Sequence, residues 1–340
     1  MPVIATRDQR KGFISILRYI KPGYFILAGL AALAPFLPEV FLWPSELAAN
    51  FAPHLALAGI TLCLISAFSR RPVSAFAAAG LALWLSAPVL AFDRYSVVEN
   101  QGNGDFSVMS ANVLMSESAV RRFLDTLGDD APEVLVLVDM TEAKCSDFNA
   151  VKTTYPYCRM IFRTDRFPLL SKRMALLAKQ APERLEIHAE TVSGWRGIID
   201  ADFRIAGKLV QIVAVHPANP LRPRGFARRN IKLRLASEVL SQTKPYVLLG
   251  DFNTTPWTPS FDLIPGTRAG DPRLESTWIT DLPLLGLPID HVFFSEGLKL
   301  TDYKVGPFFG SDHRAVGASF TLSSQARRVG SASLEHMRQE

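Results

Sequence analysis

Between Tyr24 and Phe92 the chain carries three apolar runs with very little charge among them. The first extends from Tyr24 to Trp43 and is broken late by Pro35, Pro38 and Glu39. The second covers Leu55 to Phe68, and the third Val73 to Phe92. A helix crossing a bilayer core needs about 20 residues. The third run has that length, and the second approaches it when begun near Phe51. None shows the polar stripe of a helix lying on a soluble core. The pattern therefore predicts a basic segment over 1–22 and three transmembrane helices over 23–92, ahead of a buried helical hairpin as the competing explanation. Arg7, Arg10, Lys11, Arg18 and Lys21 precede the first run, the loop from Pro44 to Pro53 has no basic residue, and Arg70 and Arg71 separate runs two and three. This distribution places the N-terminus inside and everything after Phe92 outside. Ala32-Leu33-Ala34 has the look of a signal-peptidase site, although Pro35 directly after it disfavours cleavage. Glu39 is expected near the outer interface.

After Phe92 the period changes. A polar linker over 93–104 leads into short apolar strands alternating with amphipathic helices over 105–323, and a polar tail, expected to be disordered, occupies 324–340. Glu133–Asp139 reads as a strand buried on both faces, Ala119–Leu127 as a helix capped by Ser116 or Ser118, and Phe226–Leu240 as a helix with Ile231, Leu235 and Val239 on one side. Strands are also expected at Phe106–Val113, Met174–Ala178, Ile198–Ile205, Leu209–His216, Tyr246–Gly250, Ile289–Phe294 and Ala315–Leu322. The expected class is α/β.

Composition adjusts this only at the margins. At 340 residues, two units are expected. The 48% hydrophobic content excludes a disordered chain, and three cysteines exclude a small disulfide scaffold. The net charge of +5 suggests a nucleic-acid binder until it is divided. Residues 1–94 hold +4 of it and residues 95–340 only +1, so the basicity belongs to the N-terminal part.

Polar residues concentrate at strand ends: Asn112, Asp139, His216, Asp251 with Asn253, Asp290, and Asp312 with His313. Such ends let rigid elements aim several side chains at one point. Carboxylates with amides form the oxygen-rich shell that Mg²⁺ or Mn²⁺ prefers, and the set lacks the cysteines of a structural zinc site.

Five segments then fall in order: Ser110-Ala111-Asn112-Val113, Val215-His216-Pro217, Gly250-Asp251-Phe252-Asn253-Thr254-Thr255-Pro256-Trp257, Pro288-Ile289-Asp290-His291-Val292 and Gly310-Ser311-Asp312-His313-Arg314. Together they resemble the endonuclease/exonuclease/phosphatase superfamily, the fold of DNase I and of the exonuclease III type of nuclease. With the N-terminal spans, the chain is similar to a membrane-anchored bacterial branch of it. The resemblance implies a four-layer α/β sandwich that hydrolyses phosphate esters, phospholipid or nucleic acid and nucleotide, with Mg²⁺ or Mn²⁺. It implies an inner-membrane protein with a periplasmic or extracellular active site. By resemblance Asp139 holds the cation, Asn112 organises the cation or the phosphate, and Asp312 is a candidate second metal ligand or acid-side residue. Asp251 orients and deprotonates water, Asn253 contacts a phosphoryl oxygen, His216 stabilises the phosphate or leaving oxygen, and Asp290 orients His313. No protein partner is implied.

One position departs from the family pattern. Leu137-Val138-Asp139 stands where the family ends its second strand in a metal-binding Glu, one methylene longer. This motivates a second reading, a binding or scaffold module that keeps the fold without catalysis. Among the six basic residues between Arg222 and Arg234, Arg228 and Arg229 are candidates for a phosphate-contacting rim, beside the alternative of a solvated helix face. His291 alternates to the opposite face of its strand from Asp290 and is expected to be structural. His54, His188 and His336 have no constellation around them. Cys145 and Cys158 are free to pair if exported, and Cys63 lies inside the second run.

Overall fold

The computed structural model of the protein describes residues 7–98, 104–140, 145–147, 153–161, 173–188, 197–273, 275–280, 282 and 285–323. The expected tail over 324–340, part of the linker, and His336 lie outside the described residues. Four helices come first: α1 (Arg7–Leu33), α2 (Glu39–Ala49), α3 (Ala52–Phe68) and α4 (Pro72–Leu90). The strands in chain order are β1 (Tyr95–Ser96), β2 (Phe106–Asn112), β3 (Val134–Met140), β4 (Tyr157–Ile161), β5 (Arg173–Ala178), β6 (Arg184–His188) and β7 (Ile198–Ile205). They continue with β8 (Lys208–Val215), β9 (Tyr246–Asp251), β10 (Thr267–Ala269), β11 (Asp290–Phe294), β12 (Leu298–Val305) and β13 (Val316–Leu322). Helix α5 (Glu117–Leu127) follows β2, and α6 (Pro223–Glu238) follows β8.

The strands form a seven-stranded sheet in the order β1-β10-β11-β9-β8-β7-β6 and a six-stranded sheet in the order β12-β13-β2-β3-β5-β4. Apolar side chains of both, among them Val136, Leu176, Ile212, Leu249 and Val316, meet in one buried layer. The outer face of the six-stranded sheet packs under α5 through Val120, Phe123 and Leu124. The outer face of the other packs under α6 through Leu233 and Ala236. Helix, sheet, sheet and helix are the four layers expected. Every residue of β3 is buried, as its unbroken apolar run requires. Ser116 Oγ accepts the Ala119 N–H at 3.2 Å and caps α5. Pro223 opens α6, where its missing N–H leaves no bond unmade. The short strands β1, β4, β6 and β10 carry too little alternation to stand out in the sequence.

The N-terminal region corrects the expectation of three spans. Among the described residues α4 is the one helix long and apolar enough to cross a membrane, while α3 is apolar but only 17 residues long. The first run does not continue straight. Its parts Ile20–Phe36 and Phe41–Ala49 are bent by 118° around the Pro35 and Pro38 break, because proline cannot extend the hydrogen-bond ladder. The bend turns α2 onto the α/β domain, where its two carboxylates find partners. Helices α3 and α4 pack along each other through Ala56, Gly59, Ala78 and Ala82, and Leu57, Leu64, Phe76 and Leu83 point outward. A Cβ on Gly59 would lie 2.9 Å from that of Ala82, so the close approach depends on glycine there.

Candidate active site

The strand ends bring the expected residues to one cleft. Asn112, Asp139, His216, Asp251, Asn253, Asp312 and His313 line a cavity of 230 Å³, and Asp290 stands behind His313. Gly250 makes the central corner possible. Its φ is +144°, and a Cβ there would meet the Val215 carbonyl oxygen of the neighbouring strand at 1.9 Å. The chain then turns through Asn253, at φ +53°, with the Asn253 N–H donating to Asp251 Oδ1 at 2.9 Å. Asp251 pairs in register with Asp290 across β9 and β11, which sets two carboxylates side by side in a buried site.

Hydrogen bonds orient the set. Asn112 Nδ2 donates to Asp251 Oδ2 at 3.0 Å, and its Oδ1 accepts the Leu114 N–H at 3.0 Å. His313 Nδ1 lies 2.8 Å from Asp290 Oδ2, turning Nε2 toward Asp251 Oδ2 at 3.9 Å. The Ser311 hydroxyl donates to the Asn112 carbonyl at 2.7 Å and accepts the His313 N–H at 3.1 Å, tying the last motif to the first. His216 bridges two carboxylates, with Nδ1 3.2 Å from Asp139 Oδ1 and Nε2 3.4 Å from Asp251 Oδ2. Asp139 sits at φ +50°, where the register of β3 against β5 slips between Val138 and Met140. A bulge re-aims a side chain, and this one delivers the shorter carboxylate into the cleft.

The electrostatics follow from crowding. Burial alone would raise the pKa of Asp251, but His216, His313 and the Asn253 N–H outweigh it and hold this carboxyl well below the usual range. Burial raises Asp290 to about 6, with the Asp251 charge adding to it against the pull of His313. Burial disfavours the His313 imidazolium, yet Asp290, Asp251 and Asp312 prevail and raise it to about 9. Both partners therefore carry charge near neutrality.

Other sequence expectations are reassigned. Arg229 is fully buried and does not line the cleft. Its guanidinium donates to the Glu46 carboxylate, to Ser260 Oγ at 2.8 Å and to the Asn253 carbonyl at 3.0 Å. A buried guanidinium requires such partners, so Arg229 holds the domain to α2 rather than meeting a phosphate. Arg228 is half-buried and also lies off the cleft. His291 is buried outside it: Arg268 Nε donates to Nδ1 at 2.9 Å, and Nε2 carries the proton toward the Thr254 carbonyl at 3.0 Å. His188 does have a constellation, close to Glu186 and Asp200. Arg184 already neutralises it, with Nη2 2.6 Å from Asp200. Sequence reasoning missed Trp278, whose Nε1 donates to Asp312 Oδ2 at 3.1 Å. It also missed Leu47, which reaches the cleft from α2, and Asn50 and Phe51, which reach it from the turn directly after α2. A lone tryptophan and an apolar run carry no local mark of such a role.

The donor set fits a divalent cation. Three carboxylates line the cleft with Asp290 behind them, against one imidazolium at His313, and among the described residues lining the cleft there is no lysine or arginine. Asp312 Oδ1 is shielded from solvent and makes no hydrogen bond. Hard oxygen donors in excess of positive charge are what Mg²⁺ or Mn²⁺ binds.

Comparison with known proteins agrees with this chemistry. The profile of the Endonuclease/Exonuclease/phosphatase family matches residues 109–313. No curated protein matches the sequence. An endonuclease/exonuclease/phosphatase from Beutenbergia cavernae aligns at TM-score 0.53 and 16% identity, covering 64% of this chain and 72% of that one. A humanized D. rerio TDP2 aligns at TM-score 0.50 and 16% identity, covering 63% of this chain and 98% of the other. At such identity these likenesses show the fold alone. The family match spans all five motifs, from the strand that ends in Asn112 to His313, and with it the chain belongs to the endonuclease/exonuclease/phosphatase family, hydrolases of phosphoric ester bonds.

Proposed function

We propose that the protein is a membrane-anchored phosphodiesterase that uses Mg²⁺ or Mn²⁺ and works on the extracytoplasmic face. The observation that carries the chemistry is the convergence of Asn112, Asp139, His216, Asp251 and His313 on one cleft. Asp139, Asn112 and Asp312 would hold the cation; the Asn112 Oδ1 keeps a lone pair beyond the one taken by Leu114. Bound there, a divalent cation offsets charge on the phosphoryl oxygens. The chain's own groups do the rest. Asp251 orients a water and receives its proton as the water oxygen bonds to phosphorus. The bond from phosphorus to the alcohol oxygen breaks, and the leaving alkoxide takes a proton from water at the cleft mouth. His313, held by Asp290, donates to a phosphoryl oxygen, and the Asn253 amide and His216 contact the others. We assign Asp251, Asp290 and His313 to this proton chemistry rather than to the cation, because Asp290 Oδ2 is engaged by His313 Nδ1 at 2.8 Å.

The anchoring rests on the α3–α4 hairpin. Asn50 Oδ1, just before α3, accepts the Thr255 N–H, and Phe92, just after α4, packs on Phe261. Both ends of the hairpin therefore abut the α/β domain, and its tip carries Arg70 and Arg71. At 1.5 Å per residue α4 extends about 28 Å, the depth of a bilayer core. Basic residues at the tip favour a cytoplasmic location for it and an outer one for the cleft. The Cys145–Cys158 disulfide supports the same side, since such bonds persist in oxidising compartments.

Two measurements test this. Purified full-length protein in detergent is expected to hydrolyse bis(p-nitrophenyl) phosphate with Mg²⁺ or Mn²⁺, to lose all measurable turnover in EDTA, and to regain it on adding metal. Turnover indifferent to EDTA would remove the metal from the proposal. Peptide mapping without reductant of protein purified from membranes is expected to yield a crosslinked fragment joining Cys145 and Cys158, and reduction to lower the Tm by several degrees. Two free thiols there would argue for a reducing compartment.

A further inference from the structure

The N-terminal helical region enters the active-site cleft itself. Leu47, in the last turns of α2, and Asn50 and Phe51, directly after it, line the same cavity as Asn112, Asp251 and His313. Their placement is built rather than incidental. Glu46 Oε2 accepts the Ser260 hydroxyl at 2.5 Å and the Ser260 N–H at 3.2 Å. Asn50 Oδ1 accepts the Thr255 N–H at 3.1 Å, and its carbonyl accepts Trp257 Nε1 at 2.9 Å. Trp43 Nε1 donates to the Pro220 carbonyl at 2.8 Å. Helix α2 is thereby fastened to the segment that follows Asp251 and Asn253 and to the loop that follows His216.

The cleft lining consequently combines two kinds of side chain. One set is the amides, carboxylates and imidazoles of the site. The other is apolar: Leu47, Phe51, Leu114, Leu221, Leu287 and Ile289. Of these, Leu114 is 49% and Leu221 63% exposed, an outlay of apolar surface that a monomer gains nothing from unless something covers it. A nucleic-acid strand is held through cations along its backbone, and among the described residues the cleft lining has no lysine or arginine. An alkyl chain needs only apolar surface to bury.

Resting on the phosphodiesterase reading above, we infer that α2 is the specificity wall of the site and that Leu47 and Phe51 select a phosphodiester bearing an apolar, lipid-like substituent over a nucleotide. The apolar α4 hairpin, attached to the same domain, would hold the cleft near the surface where such esters reside.

Full-length protein is assayed with methyl, butyl and hexyl p-nitrophenyl phosphate and with the p-nitrophenyl ester of thymidine 5′-phosphate. The expected result is a kcat/KM that climbs roughly threefold per added methylene until the wall is filled, with the hexyl ester preferred to the thymidine ester. Leu47→Asn and Phe51→Ser are expected to bring the hexyl-to-methyl ratio at least tenfold closer to unity, and Leu47→Met to restore it. Hydrolysis of every ester with no dependence on chain length leaves the phosphodiesterase standing and overturns the wall. A preference for the thymidine ester does the same, as does an unchanged ratio in both variants. Absence of turnover on any ester, with either metal, overturns the parent reading and this one with it.

Discussion

Asp251→Asn is expected to reduce metal-dependent phosphodiester hydrolysis by at least about 10³-fold, the range over which a positioned proton acceptor acts. The substitution is nearly isosteric. The Asn253 N–H still finds an oxygen where Asp251 Oδ1 accepts it at 2.9 Å, so the turn survives. What disappears is the anion that aligns the water and takes its proton. The same change removes the repulsion between Asp251 and Asp290, paired across adjacent strands, but also the larger attraction of His216 and His313 for the Asp251 charge and the acceptor for Asn112 Nδ2. The Tm is therefore expected to fall by a few degrees, a small change beside the loss of activity. Thermal melts and initial rates on the same preparation separate the two effects. Activity within tenfold of wild type would remove Asp251 from the role of proton acceptor, and a collapsed Tm would show a structural role instead.

Glu46→Ala is the largest expected effect on stability. Glu46 and Arg229 are both fully buried, and the carboxylate is the anionic partner of that guanidinium. Forming the pair contributes little net stability, because desolvating two charges consumes most of their attraction. Removing one partner is different, since it strands a buried cation, at a cost of about 3–5 kcal/mol. For a domain of this size that corresponds to a fall in Tm on the order of 10 °C. Arg229 also donates to the Asn253 carbonyl at 3.0 Å, so a loosened guanidinium would disturb the loop beside Asp251. The double change Glu46→Ala with Arg229→Met is expected to recover most of the lost stability by eliminating the uncompensated charge. A single variant as stable as wild type would mean that α2 is not held on the domain by this pair. Failure of the double variant to recover would mean that Glu46 acts mainly through Ser260, whose N–H and hydroxyl it also accepts.

The departure at Asp139 shows how a sequence pattern can understate what the backbone accommodates. A carboxylate one methylene shorter than the family's Glu suggested a weakened site. The bulge beside Val138 and the positive φ of Asp139 change the direction in which its side chain leaves the strand. It ends buried in the cleft, 3.2 Å from His216. Backbone geometry of this kind leaves no trace in residue identity.

The motifs were legible because each is local. Gly250 must be glycine for the turn that follows it, Asp251 and Asn253 share one turn, and strand ends bring distant segments to one edge whenever the strands pair. From the residues themselves the buried β3 and the polar set at the strand ends could be read off the chain, while the four layers and the role of each residue came from the family resemblance of the motifs. The N-terminal third was legible only as apolar. Hydropathy reports that a helix avoids water, but it does not say whether lipid or protein takes water's place. The same apolar letters therefore served equally well for the end of a first span and for α2 lying against the domain. Nor could the sequence assign Arg229, since its partner lies 183 residues away and an ion pair across that separation imposes no periodicity on either segment. The chain alone determined which polar groups meet at the cleft. Only the tertiary structure decided what walls them in, because that depends on burying the charges of Glu46 and Arg229 against each other, a condition met in space and not along the chain.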